Sequence, residues 1–430
     1  MDLTRKRILA VGIDKFFLRA CSRLGVEAVV VYSTTEKESG QLDVPPGIRM
    51  VFAQETRKIE SILMALAREG MGELDFDAVH SSREDGIVVA SALAALFGAR
   101  SIPPRIAVNF RDKSVQKRIV REAGLETAEF VMVPDIANIA ASFEIPFARG
   151  VFKPSAAAGT ANTVAVRSGA DVIRAAKRFM PKTRVRTYLV EQYISGDEWF
   201  VDGVVSGGEL IFASVGHYRE PMLDLVVNNR PLIMSRFDPK VHDGVYARVL
   251  PTVQTALQAL GLEAGVFHME LFYDRESDRL VFSECAARRG GSFVQEEIQL
   301  KFGVDLAECA LRCILGDDPG ISLSTLPGAV GSTYLPSVPG VLIGCPREEE
   351  IFGRPGVRGV SLDVPLGFEM PAELPNSMLK IGRALLHADS QGELERKTDD
   401  LVDWFVGQVV TVPTGVTQGE LRRWHAERFG

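Results

Sequence analysis

Two glutamates are spaced in a way that would let them bind a metal ion together. Residues 266–273 and 280–285 are apolar runs rich in aromatic residues, and a polar segment centred on Ser277 separates them. This pattern predicts a β-hairpin. Glu270 and Glu284 lie equally far from Ser277, so they should face each other with Cβ atoms roughly 4.5–5.5 Å apart. Two ionised carboxylates that close repel each other, and a divalent cation such as Mg²⁺, which also binds substrate phosphates, would compensate.

Two more side chains suited to phosphate chemistry flank these glutamates. Because successive side chains of a strand alternate between its faces, His268 shares the face of Glu270. Arg288 shares the face of Glu284 if the strand extends that far. Two acids, a histidine and an arginine together suit the binding of a metal and a phosphate. The alternative is a solvated face whose acids occur there by chance, but the apolar run HMELFY around Glu270 argues against it.

A lysine in an apolar strand and a loop of small residues indicate where phosphates would bind. The segment GVFKP at residues 150–154 predicts a buried strand that carries Lys153, and a buried charge is costly without a counter-charge. Residues 155–163 follow, SAAAGTANT, and their amides and hydroxyls could bind phosphates. Lys113 opens a predicted helix that Asp112 could cap. The chain has no Gly-Lys dipeptide, which excludes a Walker A loop.

A strand that ends at a glycine break supplies a further acid. Residues 188–200, YLVEQYISGDEWF, predict a strand interrupted at Ser195 and Gly196. The end of the strand could present backbone groups to an adenine, and Glu198 could reach a ribose. Taken alone, Glu198 is better explained as a solvated acid beside a turn. His217, in the segment SVGHYREP, is a lone histidine, and such a residue is more often structural than catalytic.

The elements that must position these residues follow a simple order. Residues 7–32 predict strand, helix, strand, residues 54–68 an amphipathic helix, residues 77–80 a strand and residues 86–97 a helix. Strands that alternate with helices indicate a parallel, doubly wound sheet. From residue 319, glycine and proline become frequent between short apolar strands, which predicts a β-rich C-terminal segment.

One acid of the N-terminal segment lies where open α/β sheets bind ligands. Glu84 follows the carboxyl end of the strand predicted at residues 77–80. An acid at the start of the next helix is an equally good explanation. The chain has no G-x-G-x-x-G, which excludes the dinucleotide-binding motif.

The composition fits a globular protein with small-molecule ligands. The chain has 430 residues, enough for two or three domains, with 46% hydrophobic and 24% charged residues. Its net charge of −7 argues against nucleic acid or an anionic membrane as the main partner. The five cysteines form no CxxC pair, which predicts a reducing cytosol. Basic residues 5–7 precede an apolar run as in a signal peptide, but Asp14 and Lys15 interrupt that run, so neither secretion nor a membrane span is predicted.

The ordered set of these motifs resembles the ATP-grasp superfamily. The set comprises the α/β segment, the lysine that opens a helix, the strand lysine with its small-residue loop, the EQYI-G-x-E segment and the two acids on adjacent strands, over roughly residues 7–317. The sequence Glu284-Cys-Ala286-Ala-Arg288 has alanine where most ATP-grasp enzymes have asparagine. With H-x-E at residues 268–270 and the histidine of SVGH, it is similar to the bacterial L-amino-acid ligases of the bacilysin type, which form dipeptides.

The resemblance implies an α/β fold, in part α+β, with four domains. An N-terminal Rossmann-like domain would span residues 1–108, a lid 109–193, a large domain with an antiparallel sheet and the metal site 194–318, and a β-rich appendage with terminal helices 319–430. A reactive acyl-phosphate must be kept from water, and a mobile lid carrying the small-residue loop would do this. Residues 131–190 are therefore predicted to move as a unit and to be the least ordered part without nucleotide.

The resemblance also implies how a nucleotide would be bound. Lys113 and Lys153 would hold the phosphates of ATP. The loop around residues 158–160 would close over the β- and γ-phosphates. Adenine would be contacted mostly by backbone groups, and the ribose by a carboxylate. The residues implied for the loop, the adenine and the ribose are Ala158, Gly159, Thr160, Glu191, Gln192, Tyr193, Ile194 and Glu198.

The remaining candidates are implied to act on the metal and the reacting groups. Glu270 and Glu284 would bind Mg²⁺, with Mn²⁺ as an alternative. Arg288 would stabilise the transferred phosphoryl group, and His217 and His268 would lie near the reacting carboxylate or amine. Phosphoryl transfer needs positioning and charge neutralisation, and a metal, two lysines and an arginine supply both.

The implied activity is the ATP-dependent ligation of a carboxylate to an amine. The chain would join an amino acid or related carboxylate to an amine or amino acid through an acyl-phosphate, releasing ADP and phosphate. It would act in the cytoplasm on small molecules, bind neither nucleic acid nor membrane, and form a homodimer. Two alternatives are a ligase or carboxylase acting on bicarbonate or another small acid, and a nucleotide-binding protein without turnover. Intact Lys153, Glu270, Glu284 and Arg288 disfavour the last.

Overall fold

A computed structural model of the chain describes residues 2–38, 44–71, 76–228, 230–372, 379–415, 419–420 and 422–424. Within these ranges, no helix combines the length and the apolar character that crossing a membrane requires. A short terminal helix is predicted to start at Thr417 and to carry Trp424, and residues 417–418, 421 and 425–430 lie outside the described ranges.

The N-terminal segment is a parallel sheet with helices on both faces. Its elements are β1 (Arg7–Val11), α1 (Lys15–Arg23), β2 (Glu27–Tyr32), α2 (Thr34–Glu38), β3 (Arg49–Phe52), α3 (Ile59–Arg68), β4 (Ala78–His80), α4 (Ile87–Phe97) and α5 (Pro104–Asn109). The strand order is β3-β2-β1-β4, and every pair is parallel. Ile8 and Ala10 of β1 belong to the core that includes α1, whereas Leu9 and Val11 belong to the core that includes α3 and α4. The predicted parallel sheet is confirmed.

One helix of this segment is shorter than predicted. A helix was expected over residues 54–68, but α3 begins at Ile59. The backbone N–H of Glu55 donates to Ser61 Oγ (3.0 Å), so residues 53–58 form a turn instead of the first helical turn. The apolar spacing indicates the buried face of a helix, but it does not show where the helix starts.

The next segment consists of two α-helices, a short 3₁₀ helix and a small antiparallel sheet. Its elements are α6 (Lys113–Glu122), β5 (Phe130–Val133), β6 (Gly150–Pro154), β7 (Val164–Val166), α7 (Gly169–Phe179), a short 3₁₀ helix (Met180–Lys182) and β8 (Tyr188–Gln192). The strand order is β5-β8-β6-β7. Asp112 caps α6, as predicted, and Ser168 caps α7. The sheet and α7 share a core of their own around Phe152, Val172 and Phe179.

The following segment contributes most of the large sheet. Its elements are β9 (Asp197–Ser206), β10 (Glu209–Tyr218), α8 (Met222–Asn228), β11 (Ile233–Arg236), α9 (Asp243–Leu260), β12 (Gly265–Asp274), β13 (Arg279–Ala286), α10 (Val294–Phe302) and α11 (Leu306–Leu315). The predicted hairpin is β12 and β13. Residues of one face of β12, such as Met269 and Leu271, pack with Val249 and Val253 of α9. The opposite face carries His268 and Glu270.

The C-terminal segment divides its strands between two sheets. Its elements are β14 (Ala329–Leu335), β15 (Gly340–Gly344), α12 (Glu348–Phe352), β16 (Val357–Leu362), β17 (Glu369–Met370), β18 (Gly382–Ala388), α13 (Gln391–Gln408) and β19 (Val410–Val412). The eight-stranded sheet has the order β13-β12-β9-β10-β11-β14-β18-β16, and β17-β15-β19 form a separate small sheet. The large sheet thus continues past residue 319, because β14 pairs with β11. The boundaries between the four domains stay a prediction.

Candidate active site

The two predicted metal ligands face each other across β12 and β13. Glu270 is the direct partner of Glu284, as predicted. The turn is shorter than expected, however, because Asp274 pairs with Arg279, and a regular hairpin would then set Glu270 opposite Ser283. A β-bulge makes Ser283 the extra residue on β13, and this shift brings Glu284 back opposite Glu270.

Two lysines approach one of these glutamates. Lys113 Nζ lies 3.0 Å from Glu284 Oε2, and Lys153 Nζ lies 4.0 Å from the same oxygen. Burial raises the pKa of the Glu284 carboxyl, but the two lysines outweigh this effect and lower its pKa to about 2. Glu284 is therefore ionised at neutral pH, which a metal ligand requires.

Glu191 is the counter-charge that the buried Lys153 requires. The Glu191 carboxylate lies 2.9 Å from Lys153 Nζ and 3.3 Å from Lys117 Nζ. Burial opposes the charge of Lys153, but Glu191 and Glu284 outweigh it and raise the pKa of the lysine. For Lys117, which also donates to the Ser283 carbonyl (2.8 Å), burial prevails and lowers the pKa to about 8. The Glu191 side chain therefore fixes two lysines, so any contact from this residue to adenine is left to its backbone.

The small-residue loop is held at the start of α6. Lys113 donates its backbone N–H to the Ser155 carbonyl (2.9 Å) and its Nζ to the Ala157 carbonyl (2.8 Å). Gly159 and Thr160 have left-handed φ angles of 67° and 55°. Both residues line one cavity together with Glu270 and Glu284.

A cavity of about 150 Å³ collects the residues predicted to bind the nucleotide. It lies between the small sheet, the loop and the face of the large sheet that carries Glu270. The predicted residues that line it are Lys113, Lys153, Ala158, Gly159, Thr160, Glu191, Gln192, Tyr193, Ile194, Glu198, Glu270 and Glu284. All ten positions assigned to the nucleotide thus border one space, together with both predicted metal ligands.

The strand end at the rim of this cavity has limited hydrogen-bonding capacity. Gln192 donates its backbone N–H to the Glu129 carbonyl (2.7 Å), and Tyr193 donates its own to the Arg149 carbonyl (3.0 Å). A base bound there could use the carbonyl oxygens of these residues but not their N–H groups. Glu198 Oε2 accepts the backbone N–H of residue 222 (2.8 Å), and burial, reinforced by Glu270, raises its pKa to about 8.

A second cavity, of about 270 Å³, meets the first at the acid pair. Both cavities are bordered by Ala158, Gly159, Met222, Glu270 and Glu284. The second cavity extends from there along the large sheet, and its wall includes two further predicted residues, His268 and Arg288. The acid pair therefore lies at the junction of two spaces that could hold two different ligands.

His268 is held by a buried acid that the sequence analysis missed. Asp202, the direct partner of His268 on β9, accepts from His268 Nδ1 (2.8 Å) through Oδ1 and from Arg236 Nη1 (2.8 Å) through Oδ2. His268 Nε2 then lies 3.5 Å from Glu270 Oε1. Burial lowers the pKa of His268, but Asp202 and Glu270 outweigh it and raise the pKa to about 9. The imidazole is therefore a cation at neutral pH.

Arg288 is held by the acid of the N-terminal segment. Glu84 accepts from Arg288 Nη2 (2.6 Å) and from Arg111 Nη1 (3.2 Å). Arg111 in turn donates to the Ala156 carbonyl of the small-residue loop (2.6 Å). Of the two explanations for Glu84, the geometry favours a residue at the site over a helix-terminal acid. Glu84 therefore connects the N-terminal segment to Arg288 directly and to the small-residue loop through Arg111.

His217 is not brought to this site. It is the direct partner of Trp199 on β9 and of Ser235 on β11, so it lies on the sheet face opposite Glu270. There its Nε2 contacts Ser235 Oγ (2.9 Å) and its ring stacks on Phe237 at 4.7 Å, and burial lowers its pKa. Its predicted place near the reacting groups is therefore wrong, because the alternation of β10 turns Tyr218 toward the cavity instead.

Two residues of the site carried a signal that the sequence analysis did not use. Asp202 is a lone acid inside the apolar run WFVDGVV, and a charge in a buried strand calls for a partner. Lys117 lies one helical turn after Lys113, so it points to the same side of α6. The reasoning that singled out Lys153, a charge in an apolar strand, also applies to Asp202.

Residues 148–297 match the family model of the ATP-grasp domain. The chain contains an ATP-grasp domain. Every residue predicted to bind nucleotide, metal or phosphoryl group lies in this range, except Lys113. The resemblance proposed from the motifs is confirmed at the level of the superfamily.

The similarity of this chain to known proteins extends over most of its length. The chain is 24% identical over 341 residues to an L-arginine-specific L-amino acid ligase of Bacillus subtilis, covering 78% of this chain and 80% of the relative. It is also similar to the crystal structure of an L-amino acid ligase from Bacillus licheniformis, with a TM-score of 0.74 and 19% identity, over 96% of this chain and 99% of that one. The predicted mixed α/β ATP-grasp fold is confirmed by this likeness.

A third relative was crystallised with a nucleotide. This is a carboxyaminoimidazole ribonucleotide synthase from Aspergillus clavatus in complex with ATP, with a TM-score of 0.68 and 16% identity. The likeness covers 94% of this chain and 100% of that one. At this identity the likeness shows a shared fold.

The acid pair suits a magnesium ion whose other ligands come from phosphates and water. Both side chains offer carboxylate oxygens, the ligands Mg²⁺ prefers, and it seldom takes more than one or two of them from a protein. Ala286 lines the second cavity and offers no ligand. Among the described residues, no group of three or more acidic, histidine or cysteine side chains could hold a metal alone. The donors present fit Mg²⁺ bound together with a nucleotide.

Proposed function

We propose that this chain is an ATP-dependent ligase that joins an amino acid, or a related carboxylate, to an amine or a second amino acid. The observation that carries this function is the junction of two cavities at Glu270 and Glu284. A nucleotide in the first cavity would present its terminal phosphate there, and a carboxylate in the second would meet it. The two L-amino acid ligases that resemble the chain support the same reaction class.

The reaction has two steps. In the first, a carboxylate oxygen of the acid attacks the γ-phosphorus, the bond from that phosphorus to the bridging oxygen breaks, and ADP leaves. In the second, the amine nitrogen attacks the acyl carbon of the acyl-phosphate, phosphate leaves and the nitrogen loses a proton. Each amide bond consumes one ATP, and one oxygen of the acid leaves in the phosphate. Holding the reactants in line supplies much of the rate.

The nucleotide side of the site would neutralise charge. Lys113 and Lys153, which now contact Glu284, would turn to the phosphates, and the loop of Ala158, Gly159 and Thr160 would cover them. Gln192, Tyr193 and Ile194 would contact the base through backbone groups, together with the backbone of Glu191, and Glu198 would contact the ribose. Mg²⁺ or Mn²⁺, held by Glu270 and Glu284, would add charge neutralisation at the phosphates.

The acid side of the site would orient the carboxylate. Arg288 and His268 both border the second cavity beside Glu270. Each can donate hydrogen bonds to an anionic group, and Glu84 and Asp202 hold them in place. These two residues would therefore bind the carboxylate before transfer and the phosphoryl group during it.

A substrate screen tests the function. Purified protein with ATP and Mg²⁺ is offered pairs of amino acids, bicarbonate and other small carboxylates, while ADP and phosphate are measured. We expect at least one amino-acid pair to stimulate release of both products and to yield a dipeptide. Stimulation by bicarbonate or another acid, with no amino-acid pair active, would favour the carboxylase alternative. Nucleotide binding without turnover on any acid would contradict a ligase.

The small sheet is expected to close as a lid when nucleotide binds. Residues 131–190 have their own core and touch α6 through the loop, as at Lys113 and Ser155. Limited proteolysis should cut this segment first, and an ATP analogue at about 100 times its dissociation constant should slow the cut about 100-fold if it binds only the closed form. Equal cutting with and without the analogue would mean that this segment does not close.

The homodimer is a further proposal, with the N-terminal segment as its interface. Met64 of α3 and Leu96 of α4 support it, since they are 65% and 63% exposed. Light scattering should give twice the chain mass of 47.0 kDa. A single-chain mass at micromolar concentration would contradict it. A cytoplasmic location is also proposed, and it is supported by the five cysteines, all of which are free thiols.

A further inference from the structure

We infer that the second cavity takes an amino acid with an apolar, uncharged side chain, in contrast to the arginine specificity of the Bacillus subtilis relative. This inference rests on the proposed ligase function and adds the substrate class. It is based on the walls of the cavity, which change from charged at the acid pair to apolar at the far end.

The strand order sets the direction of the cavity. Glu270 lies on β12, and the next strands of the sheet are β9, β10, β11 and β14. Met234 of β11 is thus three strand spacings from Glu270, roughly 14 Å at the usual 4.7–4.9 Å per strand. The register keeps Met234 on the face of Glu270, because its neighbour Ser235 pairs with His217 on the opposite face. A substrate whose carboxylate reaches the acid pair can therefore extend its side chain along this face toward Met234.

The far end of the cavity is built from apolar side chains of β11, of β14 and of the segment just before β11. Met234 on β11 is joined by Leu232, just before this strand, and by the ring of Tyr334 on β14. Val294 of α10 borders the cavity nearer to His268, since both side chains lie beside Gly290. Met222 of α8 lies at the junction with the first cavity. An apolar substrate side chain would leave water for these contacts, which is favourable in proportion to the area buried.

A cationic side chain would find no partner at this end. Among the described residues that border the cavity, the carboxylates are Glu270 and Glu284, both at the junction. The charge behind the far wall is positive as well, since Lys380 Nζ lies 4.3 Å from the centre of the Tyr334 ring. Lys380 shares its acid, Asp363, with Arg383. A buried guanidinium without a carboxylate is costly, so arginine and lysine should be rejected.

To test the side-chain class, the full-length protein is offered ATP with single amino acids and then with pairs of amino acids, and ADP release is measured. We expect kcat/KM with methionine, leucine or phenylalanine to exceed that with arginine or lysine by at least about 100-fold, the scale that a few methylene contacts provide. Preference for arginine or another charged amino acid would overturn the inference while leaving the ligase function intact. Failure of every amino acid would instead contradict the ligase function.

Variants at Met234 locate the preference in this cavity. Met234→Ala removes wall contacts, so it should lower kcat/KM for methionine or leucine about 10-fold or more while changing that for alanine less. Met234→Glu should reduce the preference for apolar substrates over arginine. Ile211→Glu, at an exposed residue of β10, is the control and should change neither ratio. If Met234→Ala leaves the ratio of kcat/KM for methionine to kcat/KM for alanine unchanged, the assignment is overturned. Because Met234→Ala is the smaller change, it keeps the test valid if Met234→Glu fails to fold.

Discussion

Replacement of Glu284 by glutamine is expected to lower the turnover of ATP about 100- to 1,000-fold, the scale of losing one preorganised electrostatic contact to a transition state. The amide keeps the shape of the side chain but not the charge. Glu284 is ionised beside Lys113 and faces Glu270, so its loss removes one of two charges that would hold the metal. ADP release at saturating substrates, with Mg²⁺ varied, measures the effect.

The same hairpin provides a matched control. Glu276 lies exposed in the turn between β12 and β13, and Glu276→Gln removes the same charge from the same hairpin. That variant should keep the activity of the natural chain. Full activity in Glu284→Gln would remove this residue from the metal site, and an equal loss in both variants would indicate a general effect of charge.

Replacement of Asp202 by alanine is expected to lower the free energy of unfolding by about 3–5 kcal/mol, the usual cost of removing one partner from a buried ion pair. Asp202 and Arg236 are both fully buried, and Asp202 also accepts from His268 and from the backbone of Gly290. The variant leaves the Arg236 guanidinium with Glu297 as its remaining carboxylate partner. Urea unfolding followed by circular dichroism and fluorescence measures the change.

A second acid of the same strand separates burial from charge. Asp197 opens β9 and pairs with Arg275 at the surface (2.5 Å). Because exposed ion pairs contribute little, Asp197→Ala should cost no more than about 1 kcal/mol. Similar stability losses in both variants would contradict the buried network around His268. A loss confined to Asp202→Ala, with weaker substrate binding, is the outcome expected of a residue that orients His268.

The sequence was sufficient to single out Lys153 and the small-residue loop because each carries a local signal. Lys153 is a charge in an apolar strand, and the loop after it is a run of small residues beside it. Residues this close to one another in sequence lie at the same strand end, independently of the rest of the fold. The acid for Lys153 lies far along the chain, and the strand pairing of β6 with β8 was needed to identify it as Glu191.

Positions that depend on register were less predictable. The facing of Glu270 and Glu284 follows from a bulge at Ser283, and a pattern of alternating residues does not reveal a bulge. The face of His217 depends on which residue of β9 it meets, and the partner turned out to be Trp199. Long-range pairing also limited the prediction for the C-terminal segment. Its composition indicates strands, but it does not show that β14 extends the large sheet that carries the site.

The transfer of an oxygen atom tests the central claim most directly. The amino acid identified by the screen is prepared with ¹⁸O in its carboxylate and incubated with the protein, ATP and its partner amine. Mass spectrometry of the released phosphate should find one ¹⁸O per amide bond formed, because the carboxylate oxygen that attacks the γ-phosphorus stays with phosphate. Unlabelled phosphate, or release of AMP and pyrophosphate, would contradict an acyl-phosphate formed between the two cavities.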